Sequence, residues 1–218
     1  MWKKTKIKIS EESKEEDKNK ESEELFSFVL NSGSKSEGDG INTIGIYGDI
    51  DEETAATTVY SLMVAAESVP EEVEGEEPIP IKPLKVIVST HGGVAHEMFA
   101  IYDTMNMVKK ERDIETMGLG KVMSAGVVIL AAGTKGKRKI GRNCRVMIHP
   151  VNAASFGDLP DIENEIKEVK WLQKQYVKLL AENTSMSESQ IKRLLKKKVN
   201  IYFSAEEAVK HGIVDEIV

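Results

Sequence analysis

The sequence predicts an α/β fold in which parallel strands are joined by helices. Strand-like apolar runs alternate with helix-like segments from residue 43 to residue 148, glycine-rich turns separate several of them, and the helix-like segments carry apolar residues at helical spacing. Alternation of this kind favours crossover connections, which pair strands in parallel. At 218 residues, the chain is long enough to form one domain with a substantial core.

The chain begins with a segment whose composition differs from the rest. Residues 10–24 are almost wholly charged and polar, which is typical of a solvated or disordered chain, although their alternating signs would also suit an exposed helix. We therefore predict a flexible charged segment over residues 1–24 and one domain over residues 25–218. The first strand of that domain is predicted at residues 25–30, followed by a loop to residue 40.

Strands and helices alternate in the next part of the chain. The pattern predicts a strand at residues 43–48 and a helix that begins at Asp51 and carries apolar residues on one side. Residues 70–83 hold four prolines and five glutamates, so they are predicted to form a loop. The remaining elements of this region are predicted as strand 84–90, helix 94–110, strand 112–118, helix 124–132 and strand 144–148.

A long helix and two short helices complete the predicted order. The long helix covers residues 161–180, and its apolar residues form one stripe. The segments 187–190 and 204–207 each begin with serine and end with Gln or Glu, the spacing of a capping box, so each is predicted to begin a helix. Gly212 fits the end of the last helix.

Ser124 and His149 are the candidate chemical pair. Ser124 lies among small residues immediately before an apolar helix, where the helix dipole and free backbone N–H groups stabilise developing negative charge. His149 follows a strand-like run and could take the serine proton, as the base does in acyl transfer. Taken alone, the two residues also fit a serine that caps a buried helix and a histidine with a structural role.

Gly92 and Gly93 follow the strand predicted at residues 84–90. A glycine pair at such a turn allows unusual backbone angles and lets a ligand approach main-chain N–H groups. Those N–H groups could complete an oxyanion hole together with the N–H of Ala125. Strand–Gly-Gly–helix turns are common in α/β proteins, so this feature is weak when taken alone.

Together these segments resemble the proteolytic subunits of Clp proteases, the ClpP family. The resemblance covers roughly residues 42–218, in the family's order and with close to the family's spacing. The matching pieces are Ser89-Thr-His-Gly92-Gly93, Ala100-Ile-Tyr-Asp-Thr-Met105, Gly120-Lys-Val-Met-Ser124-Ala-Gly126, Ala131-Ala-Gly-Thr-Lys-Gly-Lys-Arg138, Arg145-Val-Met-Ile-His149-Pro150 and the segment from Phe203 to Ile217. The resemblance implies a ClpP/crotonase-like α/β fold of repeated β-β-α crossover units with a protruding handle helix.

The same resemblance implies roles for four residues. Ser124 would be the nucleophile and His149 the general base of a serine peptidase. Gly93 and Ala125 would offer backbone N–H groups to the oxyanion. The family usually has methionine immediately after the serine, but Ala125 keeps the main-chain N–H on which that role depends.

The third catalytic position departs from the family. The family has an Asp four residues before the serine of its final Ser-Ala-x-Glu-Ala-Val segment, and counting back from Ser204 gives Asn200. An Asn oxygen can hold the imidazole but lacks the charge that stabilises the imidazolium, and an Asp→Asn change in such an enzyme can cost ~10⁴ in rate. We therefore expect a slow or conditionally active peptidase with Asn200 in the third position. Three alternatives stay open: a shifted loop moves Asn200 away, Asp158 or Asp161 supplies a carboxylate, or the chain is the weak partner of a more active subunit.

The resemblance also implies an assembly and its partners. Family members form a barrel of two stacked seven-membered rings around the active sites, and an AAA+ unfoldase supplies unfolded polypeptides using ATP. We therefore expect a self-compartmentalised, ATP-dependent serine endopeptidase in a homo-oligomer, a tetradecamer. This chain has no Gly-x-x-x-x-Gly-Lys-Ser/Thr phosphate loop, so ATP is expected to act only on the unfoldase and no cofactor is expected in the chain itself.

Composition argues against several other classes of protein. A formal net charge of −6 argues against a general nucleic-acid binder. No run approaches a membrane span and the N-terminus lacks the apolar core of a secretory signal, so we expect a cytoplasmic protein without a membrane partner. Cys144, the single cysteine, cannot form an internal disulfide, and four histidines without a second cysteine leave no zinc-site spacing, so no metal site is expected.

Two alternatives belong to other functional classes. The first is a weakly active or scaffold subunit of a mixed ClpP-type ring, which Asn200 makes reasonable. The second is an acyl-CoA enzyme of crotonase-like fold, which also uses strand-end N–H groups as an oxyanion hole. The pairing of Ser124 with His149 weighs against the second. It also argues against a signal-peptide peptidase, because such enzymes of this superfamily pair serine with lysine.

Overall fold

A computed structural model describes residues 42–68, 80–197 and 199–218 of the chain. The charged segment predicted over residues 1–24, the predicted start of the domain at residue 25 and the strand predicted at residues 25–30 lie outside these described residues. So does most of the loop predicted at residues 70–83.

The described residues form seven strands and six helices. In chain order these are β1 (Thr43–Ile50), α1 (Glu52–Glu67), β2 (Leu84–Gly93), α2 (Ala95–Val108), β3 (Ile114–Met123), α3 (Ala125–Ala131), β4 (Arg138–Ile140), β5 (Arg145–Ile148), α4 (Leu159–Asn183), α5 (Glu188–Leu195), β6 (Ile201–Phe203), α6 (Ala205–Lys210) and β7 (Glu216–Ile217).

The strands form one sheet that is parallel except at one pair. Its main path runs β1–β2–β3–β4–β7, and every neighbouring pair along that path is parallel. The long strand β3 pairs with β4 through residues 116–118 and with β5 through residues 121–123, so β4 and β5 follow one another along the same partner. Strand β6 returns antiparallel to β5. The predicted α/β fold with crossover connections is therefore confirmed.

Local side-chain chemistry sets several helix starts at the predicted residues. The carboxylate of Asp51 accepts a hydrogen bond from the Thr54 N–H at 2.9 Å, which satisfies one of the free donors at the start of α1. Ser187 and Ser204 form complete capping boxes at the starts of α5 and α6. Gly212 follows α6 with a φ of +65°, a conformation that glycine adopts without strain.

Helix α3 lies at the centre of the core. All seven of its residues are buried. The helix packs against β2 and β3, and against α2 and α4. Because the chain enters α3 directly from β3, the residue at this junction, Ser124, is held between the sheet and the buried helix.

Helix α4 is buried only in its C-terminal half. Tyr176, Val177 and Leu180 are buried there, whereas Leu159 and Ile166, nearer the start of the helix, are exposed. The helix begins at Leu159 and ends at Asn183, slightly beyond the predicted range at each end. The apolar stripe predicted for this helix is thus only partly covered, as expected for a helix that protrudes from the fold.

A partly buried ion pair ties the ends of several elements together. The Arg138 guanidinium donates to both carboxylate oxygens of Asp215, with Nε at 2.9 Å, and Nη1 also donates to the Asn183 carbonyl at 2.6 Å. The Gly136 N–H donates to the same carboxylate at 2.7 Å. Strand β4, the end of α4 and the turn before β7 are therefore joined through one arginine.

Candidate active site

The candidate residues meet in one cleft of about 620 Å³. Its walls come from the end of β1, the turn after β2, the start of α3, the segment after β5 and the C-terminal half of α4. Four of the five residues singled out from the sequence line this cleft: Gly93, Ser124, Ala125 and His149. Elements that are far apart in the chain thus bring the candidate nucleophile and base to the same place.

Ser124 occupies a strained turn between β3 and α3. Its φ is +54°, and it is the only non-glycine residue with positive φ in the described part of the chain. The Ser124 N–H donates to the Met147 carbonyl at 2.7 Å, and the Ser124 carbonyl accepts from the Val127 N–H at 3.0 Å and from the Tyr176 hydroxyl at 3.3 Å. A conformation of this kind costs of order 1–3 kcal/mol and persists where the surroundings fix it, which is typical of functional residues.

Glycines allow the turn after β2 to approach Ser124 closely. A Cβ on Gly92 would lie 2.5 Å from the Cβ of Ser124, and the φ of Gly92 is +99°. A Cβ on Gly126 would lie 2.3 Å from a methyl carbon of Thr90. The Thr90 hydroxyl donates to the Gly48 carbonyl at 2.6 Å and accepts from the Gly92 N–H at 2.9 Å, so it fixes this turn to β1.

The sequence motif in this region therefore has a steric basis. The sequence predicted backbone freedom at Gly92 and Gly93, but it indicated no role for Thr90 and no close packing of Gly92 against Ser124. The available signal was the sequence Thr-His-Gly-Gly at the end of a buried strand, opposite the small residues that surround Ser124.

His149 is held by the main chain that follows it. The Nδ1 atom lies 2.6 Å from the Pro150 carbonyl oxygen, and because that oxygen can only accept, the contact assigns the ring proton to Nδ1. The Nε2 atom is then unprotonated and available to accept a proton. In the described structure the Ser124 hydroxyl makes no hydrogen bond to His149; such catalytic contacts commonly tighten only when substrate is present.

The two candidate oxyanion donors line the same cleft as Ser124. Ala125 is the first residue of α3, so its N–H has no acceptor within the helix, and no side chain caps this helix start. Gly93 is exposed at the end of β2, where a Cβ would lie 2.1 Å from the Ile50 carbonyl oxygen. Both residues line the cleft, which is the arrangement that their predicted role requires.

Asn200 lies outside the cleft. It is exposed immediately before β6, and the pairing of Ile148 with Ile201 places residues 149 and 200 next to each other at the strand ends. No hydrogen bond joins Asn200 to His149 among the residues that the structure describes, and the Pro150 carbonyl occupies Nδ1 instead. The assignment of Asn200 as the third catalytic residue stays a prediction.

The two alternative carboxylates also lie away from the cleft. Asp158 and Asp161 are exposed at the start of α4, and neither lines the cleft.

Two histidines of the cleft and the single cysteine have side chains that can bind metals or act as nucleophiles. Nδ1 of His91 lies 3.9 Å from Oδ1 of Asp49, and Nε2 of His96 lies 3.5 Å from Oε1 of Glu168. Within the described ranges, no group of three His, Cys, Asp or Glu residues could hold a metal ion. Cys144 is buried, and burial raises the pKa of its thiol to about 11, so the unreactive thiol form dominates.

Within the part of the chain described, no helix combines the length and the apolar character needed to cross a membrane.

Comparison with known proteins gives a consistent result. The Clp protease family model matches residues 40–218. The ATP-dependent Clp protease proteolytic subunit 3 of Frankia casuarinae is 35% identical over 146 residues, which is 67% of this chain and 66% of that protein. Proteolytic subunit 1 of Bifidobacterium longum is 37% identical over 139 residues, 63% of this chain and 58% of that protein.

A third relative extends the same pattern. The ATP-dependent Clp protease proteolytic subunit of Deinococcus radiodurans is 34% identical over 139 residues, which is 64% of this chain and 66% of that protein. The matched part of the chain thus spans slightly less than two thirds of the length of these curated relatives.

Proposed function

Because the chain belongs to the Clp protease family, we propose that it is a serine endopeptidase, the proteolytic subunit of an ATP-dependent Clp-type protease. The observation that carries this proposal is the placement of Ser124. The residue sits at a strained strand-to-helix turn and shares one cleft with His149.

The proposed reaction proceeds through an acyl-enzyme. The Ser124 oxygen attacks the carbonyl carbon of a peptide bond while its proton passes to Nε2 of His149. The N–H groups of Gly93 and Ala125 donate to the oxyanion that forms. The imidazolium then gives its proton to the leaving amine, and a water molecule, deprotonated by the same imidazole, attacks the ester and releases the acid.

The surroundings of His149 support a slow reaction. In the Ser-His-Asp arrangement a carboxylate both orients the imidazole and stabilises the imidazolium. Here the contact to Nδ1 is a neutral carbonyl at 2.6 Å, and position 200 carries an amide. A Ser-His-(Asn) mechanism therefore lacks one charge, and the expected rate lies well below that of a relative with an acidic third residue.

The proposal includes the partners that the family resemblance implies. The substrates are unfolded polypeptides, which an AAA+ unfoldase delivers using ATP, and the chain itself needs no cofactor. The chain assembles with copies of itself into a tetradecamer of two heptameric rings. The curated relatives carry the words ATP-dependent in their names, and Leu159 and Ile166, the exposed apolar residues in the N-terminal half of α4, supply a surface for subunit contact.

The decisive experiment uses a short fluorogenic peptide, which needs no unfoldase, together with a fluorophosphonate that labels activated serines. We expect labelling at Ser124 and measurable hydrolysis, both lost in Ser124→Ala. The control variant is Ser189→Ala, because Ser189 is exposed on α5 and does not line the cleft. Hydrolysis that persists in Ser124→Ala at the level of the control would overturn the proposal.

A scaffold subunit of a mixed ring is the second candidate. It is favoured by the missing hydrogen bond between Ser124 and His149 and by the exposed position of Asn200. An oligomer of the expected size that neither reacts with the fluorophosphonate nor cleaves the peptide would support it. Family membership leaves no observation in favour of the acyl-CoA alternative.

A further inference from the structure

We propose that Gln173, on α4, is a positioning residue for His149 and acts through the peptide unit between Pro150 and Val151. The inference rests on the proposed serine peptidase function, because it assigns the group that orients the general base.

Both polar groups of this peptide unit are engaged. Its carbonyl oxygen, on Pro150, lies 2.6 Å from Nδ1 of His149. Its N–H, on Val151, donates to the side-chain oxygen of Gln173 at 2.8 Å. Because a peptide unit is planar and rigid, fixing the direction of the N–H also fixes the direction of the carbonyl on its opposite edge. Gln173 thus sets the orientation of the acceptor that holds the imidazole.

The local sequence makes this control effective. The proline ring fixes φ of Pro150, and the residue before a proline is restricted to extended conformations. The main freedom left to the Pro150 carbonyl is rotation about ψ of Pro150, which also swings the Val151 N–H. The bond to Gln173 opposes that one rotation.

The same stretch of α4 also donates a hydrogen bond to the backbone of the candidate nucleophile, Ser124. Tyr176, three residues after Gln173, is buried and its hydroxyl donates to the Ser124 carbonyl at 3.3 Å. Residues three apart lie on the same side of a helix. One side of this helix therefore hydrogen-bonds the main chain of Ser124, through Tyr176, and the Val151 N–H two residues after His149, through Gln173.

This arrangement provides the third group that the sequence lacks. Asn200 is exposed and makes no hydrogen bond to His149 in the described structure, so no side chain there performs the orienting role. The Pro150 carbonyl orients the ring and selects the tautomer with the proton on Nδ1. Being neutral, it stabilises the imidazolium less than a carboxylate would.

The test compares two substitutions of Gln173 using the assembled protein and the fluorogenic peptide. Gln173→Leu removes the acceptor while keeping side-chain bulk, and we expect kcat to fall about tenfold with KM changed less than about twofold, the loss of one hydrogen bond worth about 1.4 kcal/mol. Gln173→Glu keeps an oxygen acceptor, and we expect it to retain kcat within about threefold of the original chain.

The pH profile separates positioning from a general structural effect. The carboxylate in Gln173→Glu should raise the apparent pKa of the base in kcat/KM, because a nearby negative charge favours the imidazolium. The other titratable side chains that line the cleft are Asp49, Asp51, His91, His96 and Tyr176, and they are the same in both variants. A shift found only in the Glu variant is therefore assigned to position 173.

Gln175→Leu is the matched control. Gln175 lies on the same helix, does not line the cleft and makes no hydrogen bond among the described residues, so we expect unchanged kinetics. The positioning role is overturned if Gln173→Leu keeps full kcat, or if Gln173→Glu loses as much as Gln173→Leu. Activity lost in Ser124→Ala but unaffected by either Gln173 variant would refute only this inference, whereas activity that survives Ser124→Ala would refute the proposed function.

Discussion

At the scale of single residues, the site depends on main-chain geometry at least as much as on side-chain identity. Ser124 adopts positive φ without the freedom of glycine, and its N–H and carbonyl are both hydrogen-bonded. Gly92 packs against it so closely that even a methyl group would collide with the Ser124 Cβ. The turn therefore requires glycine at position 92, because any side chain there would collide with Ser124.

Gly92→Ala tests this close packing of Gly92 against Ser124. We expect the variant to lose at least about tenfold in peptide hydrolysis and about 2–3 kcal/mol in the free energy of unfolding, because it combines a collision in a packed site with a strained φ. Steady-state kinetics and urea unfolding measure the two effects.

Gly136→Ala is the control for backbone strain alone. Gly136 also has positive φ, at +84°, but a Cβ there would meet no atom within 4 Å. We expect it to lose only the strain contribution, of order 1 kcal/mol, and no activity. Equal effects of the two substitutions would contradict a role for close packing at Ser124.

At the scale of elements, α4 links the catalytic cleft to an exposed surface. Its C-terminal half supplies Gln173 to the main chain after His149 and Tyr176 to the main chain of Ser124. Its N-terminal half presents Leu159 and Ile166 to solvent. At about 1.5 Å per residue, the two halves belong to one helix of roughly 37 Å. One helix thus hydrogen-bonds the main chain of the candidate active site at its C-terminal half and carries exposed apolar residues at its N-terminal half.

Tyr176→Phe isolates the contact between this helix and Ser124. Burial raises the pKa of the Tyr176 hydroxyl, which therefore stays protonated and donates its hydrogen bond across the working pH range. Removing it should cost about 1 kcal/mol in the free energy of unfolding and lower kcat about threefold, because the Ser124 carbonyl keeps its bond from Val127. Tyr202→Phe, at an exposed site on β6, is the control and should change neither quantity. Tyr176→Phe behaving like this control would argue against the contact.

Much of the element order could be predicted from the sequence because it is set locally. Asp51, Ser187 and Ser204 begin helices as predicted, since each accepts a hydrogen bond from a backbone N–H three residues away. The strands β4, β6 and β7 were not predicted individually. They contain three residues or fewer, too few for a periodic pattern, and depend on partners distant in the chain.

The residues of the site likewise differ in whether the sequence could predict them. A motif marks Ser124 and His149, and their placement in one cleft follows from the parallel sheet. The contacts of Gln173 and Tyr176 carried no such signal, because a glutamine or tyrosine on an amphipathic helix is ordinary. The acceptor for His149 is a backbone carbonyl, which every residue possesses and no sequence pattern distinguishes.

At the scale of the whole described domain, Arg138 and Asp215 connect elements that are separated by up to 84 residues in the chain, from Ala131 to Asp215. Arg138 is buried and also donates to the Ala131 and Asn183 carbonyls, at the ends of α3 and α4. Burial by itself would raise the pKa of Asp215, but its hydrogen bonds and the charge of Arg138 outweigh that effect and lower the pKa below the usual value of 3.8. A group whose pKa is lowered by folding stabilises the fold above its unfolded pKa.

Asp215→Asn should therefore destabilise the protein in a pH-dependent way. At pH 7 we expect the variant to lose about 2–3 kcal/mol in the free energy of unfolding, because the buried Arg138 loses its charge partner. The difference should shrink as the pH falls below about 4 and through the lowered pKa of Asp215, since the original carboxylate is then protonated as well. Urea unfolding at fixed protein concentration, at pH 7 and pH 3, measures both values.

The matched control for this ion pair is Asp113→Asn. Asp113 lies 3.6 Å from Lys137 but both side chains are partly exposed, so the expected loss is below about 1 kcal/mol at either pH. A loss in Asp215→Asn that is the same at pH 7 and pH 3 would contradict the assigned role of the Asp215 charge.

The short contact between His149 and Pro150 has a consequence for the way enzymes of this kind are recognised. A backbone carbonyl that holds the histidine remains after every side-chain substitution, so alanine scanning would reveal this partner only indirectly, through Gln173, which fixes the carbonyl. A survey that required an acidic third residue would reject this sequence as inactive. Position 200 would then tolerate substitution, because the backbone after His149 holds the imidazole without a side chain at that position.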